Sequence, residues 1–357
     1  MKEGILTKRM HKKYSWKVSK QLIEIVLFQN SSKRGNCTQL LLSLSGCLPA
    51  SVNEVKRMSV KRMSVKKVRS ILSAMMFCLS AVSMAGTNRA LVVCVGNYPE
   101  GSGWQHTSAS MDRVLVEEML HRNGFLASDI RVIQDSQATA SSLRKALRSL
   151  AGECRPGDNV YIHFSCHGQQ ITDIDGDEPD GWDEALIPYD ALSSCRSGYH
   201  GENHLLDDEM NVCLGAISKA VGSKGLVLFV SDACHSGDND REDKDNDAPD
   251  DMRGIIDRFI IPGQKAAYAG RRGETENWVR ISACRDFQNN YEVELGGTRY
   301  GRLSYAISKA FVPGVSMAGL VRSIEEIYDQ LPVKSGRPRQ RLDSSVPDSM
   351  KDRKLKR

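Results

Sequence analysis

The stretch Leu226-Val-Leu-Phe-Val-Ser-Asp-Ala-Cys-His-Ser-Gly-Asp238 decides how the rest of the chain reads. Leu226 to Val230 is an unbroken apolar run bounded by Gly225, the pattern of a short buried strand. An acid, a cysteine and a histidine follow at its C-terminal end, where open α/β sheets place their sites. On these residues alone, an ordinary strand-to-loop turn with a half-buried cysteine is equally open.

Working outward, the same kind of run recurs. Strands are expected at Ala90–Val95, Ile130–Ile133, Val160–Phe164, Leu226–Val230 and Val279–Ser282. Helical patterns lie among and after them at Met111–Arg122, Ser141–Leu150, Asp208–Ala220, Leu303–Phe311 and Met317–Gln330. Alternation of this kind implies an α/β fold, a mostly parallel sheet with helices on both faces. Parallel strands end on one edge, so His167, in Val160-Tyr-Ile-His-Phe-Ser-Cys-His-Gly168, is brought near Cys234 across a gap of 67 residues. A thiol with a pKa of about 8.5 is mostly protonated at neutral pH, and a neighbouring imidazole favours the thiolate nucleophile. The N–H groups of Gly168 and Cys234 could hold the oxyanion of an acyl-transfer intermediate. Gly168 also leaves room for a carbonyl to approach. His163 lies inside its strand and reads as a packed structural histidine. His235 adjoins Cys234 and is expected to point away from it.

The net charge of +5 conceals an uneven distribution. Of 49 Lys and Arg, 16 lie in residues 1–85 with 3 of the 44 acids, leaving 33 bases and 41 acids in residues 86–357. That acidic balance gives no reason to expect a nucleic-acid partner. Lys66-Lys67-Val68-Arg69 precedes an apolar stretch, Ile71 to Ala85, ending in Ser83-Met84-Ala85. This is the layout of a signal peptide over residues 58–85, starting from Met58 or Met63, with residues 1–57 over-extended or removed and disordered. Fifteen apolar residues fall short of the ~20 that a membrane-spanning helix needs, so no stable membrane span is expected. An exported (periplasmic, cell-surface or secreted) protein follows. Seven of the ten cysteines come after Ala85, an odd number without CxxC spacing, which suggests neither a zinc site nor a disulfide framework. Beyond 86–238, residues 239–277 read as an acidic and basic linker, 278–342 as a smaller block and 343–357 as a flexible tail. The loop Asp173-Ile-Asp-Gly-Asp-Glu-Pro-Asp-Gly-Trp-Asp-Glu184 is dense in acids. It lacks the glycine and the flanking helices of an EF-hand.

The motifs HFSCHG, DGDEPDGWDEALIPYD and SDACHSG, in this order and spacing, resemble the bacterial metacaspase branch of the caspase-like cysteine peptidases. The resemblance runs from Ala90 to about Leu342 and includes Ile281-Ser-Ala-Cys-Arg-Asp-Phe-Gln-Asn-Asn-Tyr291 and Tyr300-Gly-Arg-Leu-Ser-Tyr-Ala306. It implies a caspase-like fold, a catalytic dyad of His167 and Cys234, and processing within the linker, with 86–238 and 278–342 as large and small regions. True caspases carry Gln-Ala-Cys and cut after Asp. Here the Gln position is Asp232, whose carboxylate disfavours an acidic substrate side chain and suits Arg or Lys. By resemblance, Asp232, Ser165 and Asp112 line a basic-residue pocket, although Asp112 also reads as a helix-start acid. The expected partners are protein or peptide substrates with Arg or Lys at the cleavage site, and the expected state is a monomer.

No cofactor is needed for the chemistry. Some relatives take Ca²⁺ as an activator through acids matching Asp183, Asp207 and Asp208, with Asp240 the nearest fourth. Self-cleavage candidates in the linker are Arg241, Lys244, Arg253, Arg258, Lys265, Arg271 and Arg272. One departure is Cys166, where the family usually has Gly. A positive φ there would cost roughly 1–2 kcal/mol and displace His167. A catalytically weak binding or regulatory module therefore stays open as an alternative, and an Asp-specific caspase is the less favoured third.

Overall fold

The computed structural model describes residues 9–18, 21–32, 35–45, 86–196, 198–234, 249–264, 277–285 and 288–355. The chain divides into two units, Met1–Ser83 and Met84–Arg357. In the first, β1 (Arg9–Val18), β2 (Gln21–Ser32) and β3 (Gly35–Ser45) form an antiparallel sheet with β2 in the middle. For residues 9–18, 21–32 and 35–45 this differs from the disorder expected of residues 1–57. Runs such as Leu22-Ile-Glu-Ile-Val-Leu-Phe28 are rich in residues that favour strands. The signal-peptide segment 58–85 lies outside the described residues.

The second unit runs β4 (Asn88–Cys94), α1 (Ala109–Arg122), β5 (Ile130–Gln134), α2 (Ala140–Glu153), β6 (Asn159–Ser165), β7 (Gly168–Thr172), β8 (Trp182–Leu186) and β9 (Leu205–Leu206). It continues with α3 (Asp207–Val221), β10 (Leu226–Asp232), β11 (Val279–Ser282), β12 (Glu292–Leu295) and β13 (Thr298–Gly301). Last come α4 (Arg302–Ala310), α5 (Met317–Gln330) and β14 (Asp343–Ser345). The central sheet has the order β14-β11-β10-β6-β4-β5, parallel throughout except for β14. The expected α/β architecture is present, and each of the five expected strands and five expected helices is found within a few residues of its expected bounds.

Alternation along the strands sorts side chains onto two cores. Leu91, Val93, Val160, Ile162, Val227 and Phe229 face α2 and α3, while Ala90, Val92, Tyr161, Leu226, Leu228 and Val230 face α1, α4 and α5. Following the period of two, Ser165 and Asp232 fall on the second face and Cys166 and Ala233 on the first. Two smaller sheets, β7-β8-β9 and the hairpin β12-β13, stand beyond the carboxyl edge of the central sheet.

Two boundaries are corrected. Within the smaller block 278–342, β11 is hydrogen-bonded to β10 in the central sheet. The supposed flexible tail is packed: β14 pairs with β11, Met350 is buried, and the Arg353 guanidinium donates to the Gly225 and Ser223 carbonyls. Within the linker, residues 249–264 are also packed, with Asp251, Met252, Arg253, Phe259 and Ile261 all buried. Among the described residues, no helix is long and apolar enough to cross a membrane.

Candidate active site

Strands β6 and β10 are hydrogen-bonded neighbours in register, with Ser165 opposite Asp232. Just past their ends lie His167-Gly168 and Ala233-Cys234. The two backbones approach so closely that a Cβ on Gly168 would stand 1.8 Å from the Cys234 carbonyl oxygen. Only glycine fits there, which is the local reason for the HG pair.

Asp232, Ser165 and Asp112 meet on the α1/α4 face as expected, and the structure adds an occupant, Arg253. Its guanidinium is fully buried: Nη2 lies 2.6 Å from Asp112 Oδ2 and 3.1 Å from Glu292 Oε1, and Nη1 donates to Ser165 Oγ at 2.7 Å. Asp232 Oδ1 stands 3.9 Å from Nη1. Its carboxylate accepts from Asn290 Nδ2 and from both the N–H and the hydroxyl of Ser304, at 2.7–2.8 Å. Three carboxylates surround one cation. Burial works against the Asp232 charge, but Arg253 and these donors outweigh it and hold the carboxyl below its ordinary range. At Asp112 burial prevails over Arg253 and pushes the carboxyl up. The guanidinium itself is held above its usual value by the three acids despite its burial.

The Arg253 main chain is placed as firmly as its side chain. The N–H groups of Cys234 and Gly168 both donate to the Arg253 carbonyl oxygen, at 2.9 and 3.2 Å. The Arg253 N–H donates to the Asn290 carbonyl and the Glu292 N–H to that of Asp251, so residues 251–253 extend antiparallel beside 290–292. After Gly254 the chain runs along β7, with Phe259 N–H donating to Gln170 and Thr172 N–H to Phe259. The carbonyl carbon beside Cys234 is therefore that of the Arg253–Gly254 peptide.

His167 is buried, with its ring between Tyr98 and Trp104 at centroid distances of 5.0 and 5.1 Å. Its Nε2–H donates to the Gln105 carbonyl at 2.8 Å, and Nδ1 has no hydrogen-bond partner among the described residues. Burial lowers its pKa to about 4, against the opposing pull of main-chain groups of Gln105 and Arg253, so the ring is neutral with a lone pair on Nδ1. The Cys234 thiol lies 3.6 Å from Asn289 Oδ1. His163 is locked inside the core, Nδ1 on the Tyr161 hydroxyl and Nε2 on Ser304 Oγ, both at 3.0 Å. His235 lies outside the described residues.

Cys166 has no positive φ; among the described non-glycine residues only Asp135 does. Its side chain joins the α2/α3-side core, where burial pushes the thiol up to about 12. The expected displacement of His167 through backbone strain at Cys166 is not found. Sequence reasoning missed Glu292, Ser108, Asn290 and Ser304. Ser108 donates to Glu292 Oε1 from N and Oγ at 2.6 and 2.7 Å, across 184 residues of chain, and no local pattern announces such a pair.

The acids expected to hold calcium are only partly brought together. Asp240 lies outside the described residues. Asp183, on β8, has its carboxylate within 4.8 Å of those of Asp173, Asp175 and Asp177 in the β7–β8 hairpin, while Asp207 and Asp208 open α3 nearby. This loop is a hairpin and not a helix pair, and of the four acids expected to bind calcium it holds Asp183. Burial, then the charges of Asp207, Asp173, Asp208 and Asp175, raise the Asp183 pKa to about 8. Asp183 Oδ1 and Asp177 Oδ1 are buried without a hydrogen-bond partner. Crowded hard oxygens with two unmet acceptors fit a dication such as Ca²⁺.

Cys234 and His167 thus stand just beyond adjacent strand ends of a mostly parallel α/β sheet. Residues 88–239 match the family model described as metacaspase, peptidase C14 domain. The match covers less than half of the chain, and the likeness to the metacaspase peptidase domain belongs to that segment. Metacaspase-1B of Aspergillus fumigatus is 32% identical over 160 residues, 43% of this chain and 36% of the relative. Metacaspase-1 of Schizosaccharomyces pombe is 26% identical over 298 residues, 69% of this chain and 66% of the relative. The chain spans about a third of the length of most of these curated relatives. A crystal structure of a Geobacter sulfurreducens protein matches in fold with a TM-score of 0.51 at 20% identity, covering 75% of this chain and 97% of that one.

Proposed function

We propose that this chain is a cysteine endopeptidase that cleaves after Arg or Lys, and that one of its substrates is its own Arg253–Gly254 bond. The observation that carries this is Arg253 itself: its guanidinium sits among Asp112, Glu292 and Ser165 while its carbonyl oxygen accepts from Gly168 and Cys234 N–H. The chain presents its own peptide as a substrate would be presented. A Lys fits the same acids with fewer hydrogen bonds, and an Asp or Glu side chain is repelled by them.

On this reading Gln105 holds the imidazole and leaves the Nδ1 lone pair to take the Cys234 thiol proton. The thiolate attacks the Arg253 carbonyl carbon, and the oxyanion that forms is held by the two N–H donors already in place. His167 passes the proton to the departing Gly254 nitrogen as the C–N bond breaks. Water then hydrolyses the thioester, leaving an Arg253 carboxylate and restoring the thiol.

The test is mass analysis of the purified chain. Fragments ending at Arg253 and starting at Gly254 are expected, absent in Cys234→Ala and His167→Ala. After this cut, fluorogenic peptides ending in Arg or Lys are expected to outpace one ending in Asp by at least a hundredfold. Cleavage that persists in Cys234→Ala, or an Asp peptide cut best, overturns the reading. The same reading takes Ca²⁺ as an activator held by Asp173, Asp175, Asp177 and Asp183, with no cofactor in the chemistry. It also takes residues 58–85 as an export signal and the chain as a monomer.

A further inference from the structure

Two residues before the proposed cleavage point, a second buried ion pair lies on the same extended segment. Asp251 is 2% exposed, yet its carboxylate is ionised. Arg337 grips it with two bonds, Nη1 to Oδ2 at 2.6 Å and Nη2 to Oδ1 at 2.8 Å. Lys334 Nζ adds a third contact at 2.7 Å. Burial alone would raise the Asp251 pKa, but the Arg337 and Lys334 bonds outweigh it and hold the carboxyl low.

The cations belong to the body of the protease and not to the segment. Arg337 and Lys334 follow α5, and the Arg337 guanidinium is braced over the Tyr291 ring at 4.0 Å. Tyr291 is also the residue that bridges to Met252 in the antiparallel pairing. One strand edge, 290–292, therefore sets the main-chain register and positions the side chain that reads Asp251. Beside them lies a cavity of about 160 Å³ lined by Tyr291, Glu292, Glu294, Lys334, Arg337 and Gln340. One residue further back, Asp250 meets Arg299 at 2.8 Å, but that pair is largely exposed and contributes little to selection.

A peptide added to a sheet edge gains affinity from main-chain bonds and specificity from pockets for alternate side chains. Arg253 and Asp251 are alternate residues of such a segment, and each side chain enters a site of opposite charge. Resting on the reading of the site as a peptidase that cuts after Arg253, we infer that Lys334 and Arg337 form a second specificity site. It selects a carboxylate two residues before the basic residue. The preferred substrate class is an extended acidic–any–basic tripeptide, cut after the basic residue. Once the chain's own segment is cut and leaves, two cations facing one another require such a carboxylate from the next substrate.

The experiment uses full-length protein after self-cleavage and three reporter peptides, Asp-Met-Arg, Asn-Met-Arg and Lys-Met-Arg. The Asp peptide is expected to exceed the Asn peptide by about tenfold in kcat/KM, with the Lys peptide slower still. Arg337→Gln should erase most of the Asp-over-Asn preference. Lys334→Glu with Arg337→Glu should invert the order so that Lys-Met-Arg is cut best, a reversal that misfolding cannot produce. Equal rates on all three peptides by the unaltered enzyme overturn the inference and leave the peptidase reading standing. If no Arg peptide is cut and no Cys234-dependent fragment appears, the peptidase reading fails, and this inference fails with it.

Discussion

Gly254 shows how tightly the proposed scissile bond is enclosed. A Cβ there would stand 2.6 Å from Cys234 Cβ, 2.9 Å from the Gly168 carbonyl oxygen and 3.2 Å from Cys234 Sγ. The first two distances are too short for real Cβ contacts, and one of the atoms met is the main-chain oxygen of Gly168. Ala would therefore push the Arg253 carbonyl away from its N–H donors, and a displacement of ~1 Å at a reacting centre costs about a hundredfold in rate. Gly254→Ala is expected to slow Cys234-dependent cleavage at this bond by roughly that factor. The check is a time course of fragment appearance by denaturing electrophoresis. Cleavage of the variant at the unaltered rate would mean that the thiol attacks from a different arrangement.

The elements also show what could be read from the chain and what could not. Strands β4, β6 and β10 were legible because each is an apolar run with abrupt polar ends, and the placement of His167 and Cys234 at one edge because parallel strands share it. Asp232 and Ser165 were legible by resemblance, and the period of two explains why they face the same side. The role of Arg253 was not legible, because in sequence it is one of seven basic residues in a polar linker and only tertiary burial distinguishes it. Glu292 and Arg337 were hidden for the same reason. In the β7–β8 hairpin the absence of an EF-hand was legible, but the gathering of Asp173, Asp175, Asp177 and Asp183 was not, because it depends on how the hairpin turns. At 100 times its dissociation constant Ca²⁺ would stabilise the native state by about 2.7 kcal/mol, or very roughly 5–10 °C for a domain of this size. Calorimetry with and without Ca²⁺ should show that rise in the unaltered chain and lose most of it in Asp183→Asn. A calcium-induced shift that survives in Asp183→Asn would remove this hairpin as the site.

For the whole molecule, three buried histidines link folding to pH. His163, His167 and His204 each have their pKa lowered to about 4 by burial. His204 is held by the Tyr199 hydroxyl at 2.9 Å and Gln169 Oε1 at 3.0 Å, as His163 is by Tyr161 and Ser304. In the unfolded chain each binds a proton below its ordinary value of about 6.5, while the folded chain keeps them neutral until near pH 4. Between those limits the unfolded state binds more protons, so stability falls as pH falls. Each histidine contributes on the order of 3 kcal/mol across the full interval. The carboxylates held low, Asp232 and Asp251, give up their stabilisation only at more acidic pH, as each is protonated in the folded state. Asp183, raised to about 8 by burial and its neighbouring acids, works in the opposite sense, because the folded chain holds its proton where the unfolded chain has lost it. In a Cys234→Ala, Asp183→Asn background, which keeps the chain uncut and removes that opposing titration, the urea midpoint should decline steadily from pH 6.5 to 4.5. His204→Gln should flatten that decline by about a third while lowering the midpoint at pH 7.5 through its lost contacts. A midpoint that stays level from pH 6.5 to 5 would show that these histidines take up protons in the folded state and that their burial does not govern acid stability.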